Sequence, residues 1–372
     1  MLTGPGRGVL IGALLLYALA FVLGYPELVV LASGGVIALI AALVWTLPQA
    51  RLSVRRELTP VKVSRGEAAV AVLHVENHGR WTLAGLRARD RVGAADHVVE
   101  LPRLRGGAAR AVSYALPTDT RGEIGVGPLA VVREDPLGLT RNVAEYGEAA
   151  SLLVRPRTVP LGVLPSGRAH HLEGPSGDRA PSGTATFHTL REYVVGDDLR
   201  HVHWRSSART GTLMVRRLVD ASLPTTTVAL DTRAVSYVSS DFELAVEAAA
   251  SVAAGAARAG FPVRVVTGEQ VVADLKGGGA DVEAVLDKLA VVRPCADPAA
   301  DPVRAVRPGG ALVVVTGEPG GLDRVAAARR RHDRTVCLRI APSGGPVSAP
   351  GVTVVDVPDL ESLAAAWPAA SR

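Results

Sequence analysis

Two stretches near the start of the chain carry no charge, 8–25 (GVLIGALLLYALAFVLGY) and 28–47 (LVVLASGGVIALIAALVWTL). At 1.5 Å per helical residue each spans roughly 27–30 Å, enough to cross the hydrocarbon core of a bilayer. Only Pro26 and Glu27 separate them, so the pattern predicts two antiparallel helices in a hairpin. Arg7 precedes the first span, Arg51, Arg55 and Arg56 follow the second, and the turn holds no Lys or Arg. By the positive-inside rule both termini face the cytoplasm, as in a multi-pass protein of the inner membrane. Two readings compete: a cleaved signal peptide over 1–20, with Ala18 and Ala20 in a small-x-small pattern, and a pair of buried core helices. The first still leaves the second span as an anchor. The second sits badly with twenty uncharged residues followed by a basic cluster.

Past residue 50 the apolar period falls to two. VKVSRGEAAVAVLHVEN alternates, the turn signal Asn77-His78-Gly79 follows, and short apolar runs recur in DHVVEL, ARAVSYAL, IGVGPLAVV and ASLLVRP, each bounded by Gly, Pro, Asp or Asn. Short strands at this spacing predict a β-sandwich over 50–160. Residues 160–186 are rich in Gly, Pro and Ser without periodicity and read as a loop or linker. From about 224 continuous apolar strands (TTVALD, VRVVTG, ALVVVTG, TVCLRI, VTVVDV) alternate with helical segments near 241–259, 280–291, 321–332 and 359–366. That alternation predicts a doubly wound, mostly parallel α/β domain. Ser240 and Glu243 make a capping box, and Phe242, Ala245, Val246, Ala249, Val252 and Ala256 give its helix an apolar face. The expected organisation is a transmembrane hairpin over 1–49, a β-sandwich-like domain over 50–160, a linker with a dense polar motif over 161–222, and an α/β domain over 223–372.

Composition changes this picture little. Two cysteines, Cys295 and Cys337, exclude a disulfide framework and are expected to be buried hydrophobes. The net charge is +5 and the pI about 9.5. Between Gly196 and Arg217 five Arg oppose two Asp, so a surplus of three positive charges sits in one short span. Beside a membrane such residues meet anionic lipid. No nucleic-acid module or interleaved aromatic pattern accompanies them, so no specific nucleic-acid partner is expected.

The most informative stretch is 187–217, FHTLREYVVGDDLRHVHWRSSARTGTLMVRR. Gly196, Asp197 and Asp198 form a turn, with Glu192 and Arg191, Arg200, Arg205, Arg209, Arg216 and Arg217 crowded around it. This density suits bidentate guanidinium–carboxylate pairing, used either as a structural ion-pair network or as a partner contact. Trp204 is expected in the core. The segment LREYVVGDDLRHVHWRSSARTGTLMVR resembles the signature of the bacterial family catalogued as domain of unknown function fifty-eight, and TRGEIGVGPLAVVREDPLGL resembles that family's β-domain segment. The resemblance covers nearly the whole chain. It implies a membrane hairpin, a β domain, a C-terminal fold similar to a von Willebrand factor A domain, and partnership with a MoxR-type AAA+ ATPase in chaperone-like or envelope-related work. It implies no catalytic activity and no cofactor. On this basis the interaction residues are Arg191, Tyr193, Gly196, Asp197, Asp198, Arg200, Trp204 and Arg209.

The chain departs from the metal site of true von Willebrand A domains, an Asp-x-Ser-x-Ser run after the first strand. Here the run is Asp231-Thr232-Arg233-Ala234-Val235, and Gly317-Glu318 stands where a later aspartate would help. Too few oxygen ligands remain for Mg²⁺, and the Arg233 cation is expected to neutralise Asp231 instead. The ends of the parallel strands, near Asp231, Gly268 and Gly317, form the natural binding edge of such a sheet. A hydrolase or transferase is the alternative, but no Walker A loop, Gly-x-Ser-x-Gly elbow or His-Glu-x-x-His helix is present. His201 and His203, with His170-His171 upstream, lack the further fixed ligands of a zinc site and read as surface imidazoles. The leading expectation is a membrane-anchored, non-catalytic interaction or scaffold protein.

Overall fold

The computed structural model describes residues 1–46, 52–164, 185–194, 202–220, 225–238, 241–268, 270–317, 322–341, 345 and 347–371. The chain divides into two compact units, one essentially 1–157 and the other 158–372 apart from 289–292.

The first unit opens with α1 (Gly4–Leu23) and α2 (Pro26–Thr46), packed against each other. Thr3 caps α1 by accepting the Gly6 amide at 3.1 Å. Gly24, in the left-handed conformation, ends it with its amide on the Ala20 carbonyl. Both helices are long and apolar enough to cross a membrane. They leave Leu14, Leu15, Phe21, Val30, Leu31 and Ile37 exposed, an apolar surface far larger than water-facing helices carry.

Nine strands follow: β1 (Leu52–Thr59), β2 (Lys62–Ser64), β3 (Val70–Asn77), β4 (Leu86–Val92), β5 (Ala95–Glu100), β6 (Ala109–Ala115), β7 (Gly122–Glu134), β8 (Arg141–Tyr146) and β9 (Ala150–Arg155). One sheet runs β1-β3-β6; the other runs β2-β9-β7-β4-β5, with β8 also on β7. Alternate residues of both sheets meet in a shared core, Leu52, Val54, Leu73 and Val75 from one against Leu86, Ala88, Leu129 and Val131 from the other. The expected sandwich is present, with three strands the apolar runs did not reveal: β1, β4 and β8. In β4, LRARDRV, the inward position 90 is an aspartate, which breaks the apolar alternation. Asp90 is fully buried and accepts Arg56 Nη1 at 2.9 Å and the Tyr114 hydroxyl. Burial, then the bond to Asp90, pushes the Tyr114 hydroxyl up. Arg56, part of the basic flank of the hairpin, therefore turns inward. The turn at Asn77 forms as the sequence predicts, with the Asn77 side-chain Oδ1 accepting the Gly79 amide at 2.9 Å.

The second unit begins with an extended segment, 158–164, that was expected to belong partly to a loose linker. Instead it packs as a strap. The Val159 amide donates to Ser251 Oγ at 3.1 Å, Leu161 and Leu164 are buried, and Trp367 Nε1 donates to the Gly162 carbonyl at 2.7 Å. A two-stranded ribbon follows, β10 (Ala185–Glu192) paired antiparallel with β11 (Met214–Asp220), and between them lies α3 (Trp204–Thr210).

The α/β body comprises β12 (Thr226–Leu230), α4 (Asp241–Arg258), β13 (Val263–Thr267), β14 (Gln270–Leu275), α5 (Gly279–Ala290), β15 (Ala311–Thr316), α6 (Leu322–Ala328), β16 (Arg334–Ile340), β17 (Thr353–Val357) and α7 (Leu360–Ala370). The sheet order is β14-β13-β12-β15-β16-β17, parallel except for β14. Numbered within the sheet, that is the 3-2-1-4-5-6 order of doubly wound folds. The expected strands and helices all appear; β14 is an addition, a hairpin return too polar on one side to stand out. Right-handed crossovers that run left through α4 and right through α6 place those helices on opposite faces. The α6 face packs Val325 and Ala328 with Ala229, Leu312, Val314 and Cys337. The opposite face is served by α4, whose Ala and Val residues are buried nearly all round because sheet, α7 and strap enclose it. Ser240, the first residue of the expected capping box, lies outside the described residues.

Candidate functional site

In a sheet of this order, the connections after β12 and β15 run in opposite directions, which opens the crevice where doubly wound domains bind ligands. Asp231 stands at that point, just past β12, and is 1% exposed. Its carboxylate is fully engaged. Arg233 Nε donates to Oδ1 at 3.0 Å and Nη2 to Oδ2 at 2.7 Å, a two-pronged ion pair, while the Arg233 amide adds a bond at 3.0 Å. Ser236 Oγ and Thr316 Oγ1 donate to Oδ2 at 2.8 and 2.9 Å. The expected neutralisation by Arg233 is thus seen in the geometry. Ser236 and Thr316 escaped sequence reading: the hydroxyl arrives one residue beyond the expected run, brought round by a short 3-10 turn over Ala234–Ser236.

The remaining positions around the crevice are closed by the chain itself. A Cβ on Gly317 would meet the Ser236 carbonyl and the Tyr237 ring, so an aspartate has no room there. The Tyr237 hydroxyl donates to the Asp231 carbonyl at 2.8 Å, and burial followed by the Asp231 charge holds it well above its ordinary value. The loop after α5 crosses the strand ends. The Cys295 amide donates to the Thr232 carbonyl and the Ala234 amide to the Cys295 carbonyl, while Ala300 lies on Gly268. The edge expected to be an open binding surface is covered at these points. Among the described residues no cluster of three or more His, Cys, Asp or Glu is arranged to hold a metal.

The motif over 187–217 has a different character. Gly196, Asp197, Asp198, Arg200 and His201, together with His170 and His171, lie outside the described residues, as does Glu318. Arg191 sits on β10 opposite Val215 of β11. The half-buried Tyr193 continues the ribbon, its amide donating to the Leu213 carbonyl at 2.7 Å. His203 caps α3: its Nδ1 accepts the Ser206 amide at 3.2 Å and is bonded to Ser206 Oγ at 2.7 Å. That gives His203 Nδ1 a structural task. Trp204, expected in the core, is instead 68% exposed in the first turn of α3. It faces outward because a helix of only about two turns, capped at position 203, commits its interior contacts to the serines. Arg205 and Arg209 are exposed on the same short helix.

A third constellation was missed entirely: the turn 135–140 between β7 and β8. Asp135 is 5% exposed and accepts the Leu137 amide at 2.9 Å, the Thr140 amide, and Thr140 Oγ1 at 3.1 Å. Burial pushes its carboxyl up, but these bonds outweigh burial and hold it below the usual carboxylate range. The turn grips the open end of the helical hairpin. The Thr3 amide donates to the Leu139 carbonyl at 3.0 Å, Thr140 Oγ1 to the Ala42 carbonyl at 2.9 Å, and Asn142 Nδ2 to the Thr46 carbonyl at 3.4 Å. Leu139 packs with Leu39 and Ala42, and Arg133 lies over the Trp45 ring. The signal for this site was the run Asp135-Pro136-Leu137-Gly138-Leu139, which sequence reading treated only as a family likeness.

The family described as "Protein of unknown function DUF58" matches residues 189–361. No curated protein matches the chain. Among solved structures, the CARDB domain of the PF1109 protein from Pyrococcus furiosus is 16% identical, with 28% of this chain and 94% of that one covered at a TM-score of 0.22. The alkylpurine DNA glycosylase AlkC of Pseudomonas fluorescens, bound to DNA with an abasic site analog, is 16% identical over 30% of this chain and 33% of that one, at 0.23. The C-terminal domain of wzt is 10% identical over 29% of this chain and 75% of that one, at 0.24.

Proposed function

We propose that this chain is a non-catalytic interaction or scaffold protein, anchored by its hairpin in the bacterial inner membrane with both termini cytoplasmic. Its α/β domain, on this reading, is a von Willebrand factor A-like fold that has exchanged the metal for an arginine. It works with a MoxR-type AAA+ ATPase in a chaperone-like or envelope process. The observation that carries this reading is the Asp231–Arg233 pair. A carboxylate at the switch point of the sheet, which would otherwise ligate a cation or act on substrate, spends its lone pairs on a guanidinium and two hydroxyls. The strand order supports the fold assignment, and the apolar helices support the anchor. Trp204 with Arg205 and Arg209 supplies the residue types that dominate protein–protein contacts, held on an exposed helix.

The test is affinity purification of the full-length protein from native membranes. An AAA+ ATPase should co-purify with the wild type and be lost with Trp204→Ala, whose exposed side chain can be removed without unfolding the domain. Absence of any such ATPase from the wild-type sample refutes the partnership. A rise in melting temperature of several degrees on adding Mg²⁺ or Mn²⁺, abolished by Asp231→Ala, refutes the exchange of metal for arginine.

A further inference from the structure

Where the turn 135–140 meets the hairpin has a consequence for the bilayer. The carboxylate Glu27, in the first turn of α2 beside the link to α1, belongs at the far interface, because a charge within the hydrocarbon is costly. A core of about 30 Å takes up about 20 helical residues from there, which brings the near boundary level with Thr46, the end of α2. Leu139 contacts α2 at Leu39 and Ala42, which lie about 10 and 6 Å inside that end at 1.5 Å per residue. Val9 of α1, about 8 Å inside the Gly4 end, packs against the same cluster. The contact is held closely: a Cβ on Gly6 would overlap the Leu139 carbonyl oxygen, and Thr3 Oγ1 donates to the Gly138 carbonyl. With the hairpin across the membrane, the turn cannot remain in water.

Its chemistry suits that location. Irregular backbone is tolerated at membrane depth only where its polar groups are satisfied within the protein. Pro136 has no N–H, the Leu137 and Thr140 amides donate to the Asp135 carboxylate, the Leu139 amide interacts with it, and the Gly138 amide donates to the Asp135 carbonyl. The amide donors of the turn are therefore consumed internally. At its tip Leu137 is 66% exposed, an apolar side chain without a protein partner to cover it. Behind the tip, Arg133 lies 5.9 Å from the ring centre of Trp45, a cation and an aromatic at the level of the headgroups.

We infer that the turn 135–140 is a membrane-inserted wedge, with Leu137 lodged among the acyl chains of the leaflet nearest the β-sandwich. This rests on the membrane-anchor reading of the hairpin. The wedge fixes the sandwich against the lipid surface in one orientation, so the hairpin is a mount as well as a tether.

The experiment uses full-length protein in lipid nanodiscs, in a Cys295→Ser background that leaves only the buried Cys337. Single cysteines introduced by Leu137→Cys, Leu14→Cys and Val98→Cys carry an environment-sensitive fluorophore. Lipids brominated near the headgroup or near the chain end serve as quenchers. Leu14 is exposed in the middle of α1 and Val98 is exposed on β5. The expected result is loss of fluorescence from position 137 with shallow bromines, from position 14 with deep bromines, and from position 98 with neither. Quenching at 14 but not at 137, or equal quenching at 137 and 98, overturns the wedge and leaves the anchor standing. No quenching at 14 overturns both.

Discussion

Replacing Arg233 by methionine removes the guanidinium while keeping most of the apolar stem, and leaves Asp231 buried without its counter-charge. Breaking a buried ion pair from one side costs about 3–5 kcal/mol. The lower end applies here, because the Ser236 and Thr316 hydroxyls and the residue-233 amide still donate to the carboxylate. Destabilisation of about 3 kcal/mol is therefore expected. Adding Asp231→Asn should recover much of the loss, since no buried charge is then stranded. Hydrogen exchange of the β12 and β15 amides, followed in the full-length protein, reads the opening free energy of this part of the sheet. A cost below about 1 kcal/mol would refute the view that Arg233 neutralises the switch point.

Other consequences are open to measurement. Gly255→Ala should destabilise the second unit by about 1–3 kcal/mol despite the better helix propensity of alanine, because the new Cβ lies 2.6 Å from the Leu161 carbonyl oxygen; release of the strap would appear as new protease cleavage near residues 158–164. Thiol titration under native conditions should count one reactive cysteine, the half-exposed Cys295, and a second only after denaturation, since burial pushes the Cys337 thiol up to about 12. The folded Asp135 carboxyl titrates below its unfolded value, so the stability it lends the turn is present above about pH 5 and is lost as the pH falls below about 4. Acidification should lower the protection factors of the amides at residues 137–140 in the wild type, each taken relative to the unfolded chain at the same pH, while in Asp135→Asn they should be low at every pH. Gly6→Val should loosen the hairpin from the sandwich, read as increased protease cleavage between them, because its side chain has no space beside Leu139.

Much of this protein follows from its linear pattern. Twenty-odd uncharged residues, twice, have few fates other than helices facing an apolar medium, and period-two and continuous apolar runs separate the sandwich from the parallel sheet. Asp231, Arg233 and the reversal of their charge relation were legible because neighbours in sequence at a strand end stay neighbours in space. What tertiary structure decided involves residues far apart along the chain or set against their type. Ser236 reaches Asp231 only through the 3-10 turn after β12, Thr316 reaches it only because β12 and β15 are adjacent, Asp90 is buried only because Arg56 and Tyr114 come to it from the other sheet, and Trp204 is exposed because its helix is too short to bury both faces. The turn 135–140 is the clearest case. Asp-Pro-Leu-Gly-Leu alone specifies a turn, but its place at the foot of a hairpin about a hundred residues earlier depends on close packing, which a sequence pattern records only as a glycine here and a leucine there.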